Sequence, residues 1–367
     1  MASQHDQYVR YSEAVEVKQP GEDEDIRACL ASFDRMQVAA YERHRHAVRG
    51  AHAKSHGLVK GELEIYDDLP EELRQGIAKT PKTYPIIVRY STSPPDILRD
   101  GIAAFRGMAI KVIGIPGRKL SPEAPDAVTQ DFILANDKTL PTGDVSSYLK
   151  QTLFGEKLMN QPQEIAQVVT TAMRAGSAAL RAVGVKWIGG VGGQALPETH
   201  ILGNSFYTTA ALRFGGYIAK LNAEPISESL KVLRGVGIDT SNRNILRDLV
   251  VAFFRENSVE YEFRAQLCTN LDRMPIEDGS VEWPEDESPY RPIGRITIKA
   301  QEAYSPARRV YVDDMLSFSP WHCMPEHQPL GSIMRVRRSV YAAASEYRHR
   351  MNALPRREPA SIDELPD

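Results

Sequence analysis

The stretch Tyr84-Pro-Ile-Ile-Val-Arg-Tyr-Ser-Thr92 decides the fold, because it predicts a long β-strand whose two faces differ. Successive side chains of a strand point to opposite faces, so one face is apolar and aromatic while the other carries polar groups. The first face is Ile86, Val88 and Tyr90, and the second is Ile87, Arg89 and Ser91. Buried polar side chains need partners, so the second face predicts a polar site against this strand.

Strand-like segments continue on both sides of this strand, separated by glycine, proline and polar residues. They cover residues 47–66, 106–114, 131–136, 205–221, 259–269 and 293–300. Helical periodicity is found at residues 26–45, in an alanine-rich stretch at 145–185, and at 330–351. Because strands and helices do not alternate regularly, the predicted fold class is α+β rather than a parallel sheet of βαβ units.

The chain is predicted to form a single domain over residues 26–354, with a helical insertion at 145–200. Residues 1–25 are polar and end in an acidic run, which predicts a loose N-terminal arm. Residues 355–367 are also polar, and they predict a flexible tail.

The composition is that of an ordinary globular protein, with 42% hydrophobic and 25% charged residues in a chain of 367. The 45 Lys and Arg residues nearly balance the 48 Asp and Glu residues, which argues against a nucleic-acid binder. No apolar run approaches the roughly 18 residues of a membrane span. Residues 1–20 lack an apolar signal core, and the three cysteines are far apart, so we expect reduced thiols and a cytoplasmic protein.

A glycine cluster and a histidine cluster are similar to known ligand-binding motifs but do not match their spacing. The glycines at 189–193 do not fit G-x-G-x-x-G and follow a helix rather than a strand, so they predict a turn. The four histidines His44, His46, His52 and His56 lie close together, but their segment holds no cysteine and crosses a helix-to-strand change. A zinc site is therefore not favoured, and no G-x-S-x-G motif indicates a serine hydrolase.

The predicted late helix carries a more informative pattern. Arg337, Tyr341 and Arg348 fall on one helix face. An arginine one turn before a tyrosine places a cation beside the phenol and favours phenolate, a ligand that suits ferric iron. The small run Ala342-Ala-Ala344 leaves room for a flat ring against the helix. The alternative interpretation is a solvated basic face with a tyrosine at its edge.

The two ends of the chain together favour one kind of ligand. Arg49 and His52 precede the strand that carries Arg89 and Ser91, so the first part of the chain offers two arginines, a histidine and a serine. The late helix adds two more arginines around Tyr341. This set suits an anionic macrocycle with two carboxylates, held by arginines, with tyrosine on one side of its metal and histidine on the other.

At the level of motifs, the chain resembles the haem catalase family from about residue 45 to residue 350. The matching segments are Arg49-Gly-Ala-His-Ala-Lys54, Val88-Arg-Tyr-Ser-Thr92, Arg106-Gly-Met-Ala-Ile-Lys-Val112, Glu282-Trp-Pro284 with Pro292-Ile-Gly-Arg-Ile296, Phe318-Ser-Pro320 with Met324-Pro325, and the Arg337–Tyr341–Arg348 helix. They occur in the family's order.

The resemblance implies a closed antiparallel β-barrel wrapped by helices, with haem b buried against it. Tyrosinate ligation of haem iron in catalase is a standard example of the family. Carried over by motif, the implied roles are His52 as distal acid and base, Ser91 as its hydrogen-bond partner, Asn136 as the distal asparagine, Tyr341 as the iron ligand with Arg337 beside it, and Arg49, Arg89 and Arg348 as propionate partners. A homo-oligomer is also expected.

The chain departs from the family pattern on the distal side. The family's N-N-T-P-x-F-F is replaced by Ala135-Asn-Asp-Lys-Thr-Leu140, so the register of Asn136 is ambiguous by one residue and no phenylalanine clearly covers the haem. Only 26 residues follow Tyr341, shorter than the extension of larger catalases. The short pattern is similar to minimal bacterial catalase-like proteins and catalase-related peroxidases, which are akin to allene oxide synthases.

The predicted activity is therefore the activation of hydrogen peroxide or organic hydroperoxides, with a small organic molecule as an alternative electron donor. A plain small catalase that dismutes hydrogen peroxide remains open, and so does a non-catalytic haem-binding protein. His322 and His327, just before the late helix, compete with Tyr341 as iron ligands. His56 is the next candidate for the acid and base if His52 is not.

Overall fold

The computed structural model describes residues 7–182 and 197–367, and within them nine strands form one antiparallel sheet. The strands are β1 (Lys54–Ile65), β2 (Thr83–Thr92), β3 (Arg106–Ile113), β4 (Thr129–Ala135), β5 (Phe206–Tyr207), β6 (Leu212–Phe214), β7 (Tyr217–Pro225), β8 (Val259–Leu267) and β9 (Arg291–Ile298). The order is β4-β3-β2-β1-β9-β8-β7, and β5 pairs with both β4 and β7. These eight strands close a barrel, and β6 adds a short hairpin to β7.

The helices precede, interrupt and follow the barrel strands along the chain, without regular alternation, which is an α+β arrangement. They are α1 (Glu22–His44), α2 (Val145–Met159), α3 (Gln163–Ala182), α4 (Glu228–Lys231), α5 (Ile245–Glu256), α6 (Pro306–Arg309) and α7 (Ser332–Met351). A π-helical turn, Val310–Met315, directly follows α6. Helices α1, α2 and α7 bury a shared apolar cluster that includes Phe33, Met36 and Val340. The predicted fold class is confirmed.

The two faces predicted for β2 are both observed. Ile86, Val88 and Tyr90 belong to the large apolar core, to which every long barrel strand contributes. Ile87 lies on the opposite, outer face, in a second apolar cluster with residues of the 312–318 segment. Arg89 and Ser91 share the face of Ile87, so β2 presents its polar groups to the segment that leads into α7.

The described part of the N-terminal arm packs against the barrel, which differs from the predicted loose arm. The amide N–H of Val9 donates to the carbonyl of Cys268 at 2.8 Å. Glu16 forms an ion pair with Arg335 of α7 at 2.9 Å. These partners are more than 250 residues away in sequence, so local composition could not indicate them.

The C-terminal tail, for which the composition predicts flexibility, makes buried contacts with the barrel. Glu358 forms an ion pair at 2.7 Å with Lys111, whose side chain is fully buried in β3. Leu365 is also buried and completes the outer apolar cluster beside β2. Lys111 is also paired with Asp131 at 2.7 Å, so Glu358 adds a second carboxylate to this buried charge and holds the polar tail against the barrel.

Within residues 145–200, which the sequence predicts as a helical insertion, the described residues form α2 and α3 up to residue 182. The glycine-rich turn expected at 187–193 lies outside the described residues, and residues 197–200 are not helical. In the part of the chain that is described, no helix combines the length and apolar character needed to cross a bilayer.

Candidate active site

Tyr341 lies on α7 at the point where three cavities meet. Cavities of about 260, 50 and 40 Å³ are all bordered by Tyr341 and by Ala51, which follows the predicted Arg49-Gly50 pair. Arg337, one helical turn before, borders the largest cavity. Among the described residues no carboxylate pairs with Arg337, so its cation is available to the phenol side of the cavity.

Beside Tyr341, the guanidinium groups of three arginines converge on the π-helical turn Val310–Met315. These arginines are Arg49, Arg89 and Arg348. Arg49 donates to the carbonyls of Val312 and Leu316 at 2.6 and 2.8 Å, and Arg348 donates to those of Asp313 and Leu316 at 2.6 and 2.9 Å. Arg89 and Arg348 are almost fully buried. We call these three residues the arginine cradle.

The arginine cradle holds more positive than negative charge. Two carboxylates act on it: Asp313 lies 2.8 Å from Arg89 and 3.9 Å from Arg49, and the charge of Asp314 acts on Arg49 and Arg348. Burial opposes ionisation of the Asp313 carboxyl group, yet Arg89 and Arg49 hold the pKa of Asp313 below its usual range. The buried Nε of Arg49 has no hydrogen-bond partner among the described residues. Three guanidinium groups therefore face two carboxylates, and a surplus of guanidinium charge is the chemistry that recognises carboxylates.

His52 borders both the largest and the smallest cavity, so its imidazole faces the same space as Tyr341. Its Nδ1 lies 3.0 Å from the Oγ of Ser91, the residue that the resemblance implies as its hydrogen-bond partner. Burial and the charges of Arg89, Arg337 and Arg49 lower the pKa of His52 to about 3. The imidazole is therefore neutral near neutral pH, and it can accept a proton.

Gly107 of β3 is the residue that makes room for this imidazole, and sequence reasoning missed it. A Cβ at this position would lie 2.6 Å from both Nδ1 and Cε1 of His52, and 3.0 Å from the Oγ of Ser91. A side chain there would displace the ring. The available signal was a glycine inside an otherwise regular strand, which marks a close approach.

Asn136 is not brought to these cavities. Its side-chain oxygen accepts the backbone N–H of Arg106 at 2.8 Å, and it holds the start of β3. Residues Ala135 and Thr139 of the same segment border the largest cavity instead. The catalytic role predicted for Asn136 finds no support in its placement.

Each of the four clustered histidines contacts a different residue. His44 binds Asp96 at 2.5 Å, His46 binds Asp314 at 2.8 Å, and the buried His56 contacts Thr92 at 3.3 Å, while His52 binds Ser91. His56 borders none of the three cavities.

The competing iron ligands His322 and His327 are engaged elsewhere. His322 Nε2 lies 2.7 Å from the Oγ1 of Thr129. His327 Nε2 accepts the backbone N–H of Ile77 at 3.0 Å. Both rings are buried, and neither borders the cavities around Tyr341.

Solved structures similar to this chain include three catalases. A fungal catalase superposes with a TM-score of 0.57 at 17% identity, over 89% of this chain and 67% of that chain. Catalase A from Saccharomyces cerevisiae gives a TM-score of 0.56 at 16% identity, over 89% and 70%. The chain has a catalase-like fold.

A bacterial catalase gives the same catalase-like superposition, with a TM-score of 0.56 at 16% identity over 85% of this chain. The chain spans 59% of the length of that protein. No protein-family profile matches the chain, and no curated protein matches it in sequence. At such low identity the catalase-like similarity is one of fold, and it confirms the barrel that the motifs implied.

Proposed function

We propose that the chain is a haem b enzyme that activates peroxides. One observation carries the proposal: an oriented imidazole, His52, and a phenol, Tyr341, border the same cavities next to a cradle with surplus positive charge. A catalase-like fold supports peroxide as the substrate class.

The residues around the cavities fit haem. The phenol of Tyr341 would ligate the iron, with the cation of Arg337 beside it, and the arginine cradle would bind the two propionates. A Cβ at Gly50 would lie 2.8 Å from the Cβ of Ala344, so a glycine is what lets this loop pack against α7 at the edge of the cavities, and the unpartnered buried Nε of Arg49 next to it is a donor that a propionate would satisfy. Haem would supply the iron that binds the peroxide and exchanges electrons with it.

His52 supplies the proton transfers of the proposed reaction. Its neutral imidazole takes a proton from one peroxide oxygen and returns a proton to the other oxygen as that oxygen leaves. Ser91 holds the ring through Nδ1, and Gly107 leaves the space that the ring needs. A protein that only stores haem does not need an oriented base, which favours an enzyme over the non-catalytic alternative.

The largest cavity favours organic peroxides or donors beside hydrogen peroxide. Apolar side chains of several elements border it, and the insertion helices contribute part of the wall. These residues include Phe33, Met36, Leu98, Ile102, Leu158 and Ala166. A wall of this kind accommodates apolar ligands.

We therefore expect organic hydroperoxide turnover, or peroxidation of phenolic donors, to rival dismutation in kcat/KM. The measurement compares kcat/KM for oxygen evolution from hydrogen peroxide with that for cumene and fatty-acid hydroperoxides, under the same conditions. Fast oxygen evolution with no detectable organic turnover would leave a plain small catalase. Bound haem with neither activity would leave a non-catalytic haem protein.

Gly107→Ala is expected to lower peroxide turnover by about tenfold or more, because even small misplacement of a catalytic group is costly. Haem content should stay near that of the unchanged protein, since the three atoms nearest the added methyl group belong to His52 and Ser91 and not to Tyr341 or the arginine cradle. Gly176→Ala is the matched control, because a Cβ at Gly176 in α3 meets nothing within 4 Å. Equal turnover in both variants would show that the ring of His52 tolerates displacement.

A further inference from the structure

We propose that Asp313 is a positioning residue for His52, acting through Arg89. The proposal rests on the function proposed above and adds a residue that no sequence motif indicated. Asp313 lies in the π-helical turn before α7 and borders none of the three cavities. It therefore acts on the groups that face the cavities, rather than on a ligand.

The carboxylate of Asp313 holds Arg89 in place. Its Oδ1 accepts the Nε–H of Arg89 at 2.8 Å, and the Arg89 side chain is 2% exposed. The same guanidinium donates through its NH2 group to the carbonyl of His52 at 2.7 Å. Arg89 thus links the Asp313 carboxylate to the backbone of His52.

The backbone of His52 needs such a link. Its φ is +53°, in the left-handed region that costs a non-glycine residue free energy unless its surroundings hold it there. The N–H of His52 donates to the carbonyl of Ser93 at 3.0 Å, and the carbonyl of His52 is held by Arg89. Loss of the Arg89 contact would release the carbonyl of His52, while its N–H stayed bound to Ser93.

The second carboxylate oxygen of Asp313 acts on the same segment. Oδ2 accepts the hydroxyl of Ser55 at 2.5 Å, three residues after His52. One carboxylate therefore anchors both ends of the 52–55 segment, through Arg89 and through Ser55. The backbone carbonyl of Asp313 also accepts Arg348, so the turn that binds the arginine cradle is the turn that positions His52.

The test uses Asp313→Ala and Asp313→Asn in the haem-loaded protein, with Asp314→Asn as the matched control. Asp314→Asn removes the same charge one residue along, from a carboxylate that binds His46 at 2.8 Å. Asp313→Ala is expected to lower kcat for peroxide about tenfold with little change in KM, and the control should change kcat less than about twofold. Asp313→Asn retains the shape of the side chain, and its kcat is expected to lie between that of Asp313→Ala and that of the control.

A second readout is independent of turnover. Hydrogen cyanide must give its proton to a base to bind ferric haem as cyanide, so the rate of cyanide association reports the position of His52. We expect this rate to fall about tenfold in Asp313→Ala, in parallel with kcat, while the ferric spectrum and haem content stay unchanged.

The outcomes separate this proposal from the proposed function. Unchanged kcat and an unchanged cyanide rate in both Asp313 variants would overturn the positioning role, while haem binding and turnover by the parent protein still stood. Loss of haem or of folding in both variants would assign Asp313 to structure and also overturn the role. If the parent protein neither retains haem nor reacts with peroxide, the proposed function itself fails.

Discussion

Tyr341→Phe is expected to weaken haem binding by more than about tenfold and to shift the ferric spectrum strongly. The change removes the one oxygen that would bind the iron, and it keeps the ring that borders the three cavities. Losing a residue that only hydrogen-bonds to a metal ligand already costs about 10- to 100-fold in metal affinity. Losing the ligand itself therefore costs at least that much. Haem content per chain and the absorption spectrum are the measurements.

Tyr347→Phe is the matched control for this prediction. Tyr347 is a buried tyrosine on the same helix that borders none of the cavities, so haem content should stay at the parent level. An unchanged ferric spectrum in Tyr341→Phe would contradict the ligand assignment. The search would then move to His327 and His322, each of which must first give up its present hydrogen bond.

His52→Ala is expected to reduce peroxide turnover by about 10²-fold or more, the usual scale for losing a positioned acid and base. Haem should remain bound, because Tyr341 and the arginine cradle are unchanged. Ser91→Ala should cost less, since it removes only the orientation of the imidazole. Steady-state rates with hydrogen peroxide and with an alkyl hydroperoxide measure both effects.

The pH dependence gives this prediction a second check. The pKa of His52 is lowered to about 3, so the imidazole is neutral through the neutral range and turnover should be flat there. Activity should fall only as the pH drops towards that value, where protonation removes the base. His44→Ala, which changes a histidine bound to Asp96, should leave turnover unchanged. Full activity in His52→Ala would make His56 the next candidate.

The sequence predicted the barrel strand and the late helix well because both depend on local periodicity. The alternation of residues 84–92 placed Arg89 and Ser91 together on the outer face, and the helical spacing of residues 337–348 placed Tyr341 between two arginines. Both patterns are carried by neighbours in the chain. The structure then brings the two segments to the same cavities.

The residues that sequence reasoning missed depend on contacts between distant segments. Asp313 meets Arg89 across 224 positions, and the tail residue Glu358 meets Lys111 across 247. Gly107 acts through an absent side chain, and a glycine in a strand signals a close approach without identifying the group that approaches. The role predicted for Asn136 rested on an incomplete motif. In the structure its side-chain oxygen accepts a hydrogen bond from the backbone N–H of Arg106, away from the cavities.

Under the proposed function, the surplus charge of the arginine cradle would link the amount of this protein in a cell to the supply of haem. Burial lowers the pKa of Arg348 to about 10, although Asp313 and Asp314 oppose this shift, so the empty cradle keeps a guanidinium charged at a cost in desolvation. A ligand present at 100 times its Kd adds about 2.7 kcal/mol to the free energy of unfolding. Chains made faster than haem is delivered would unfold more often and be degraded first, so proteolysis would match enzyme to cofactor without a dedicated regulator.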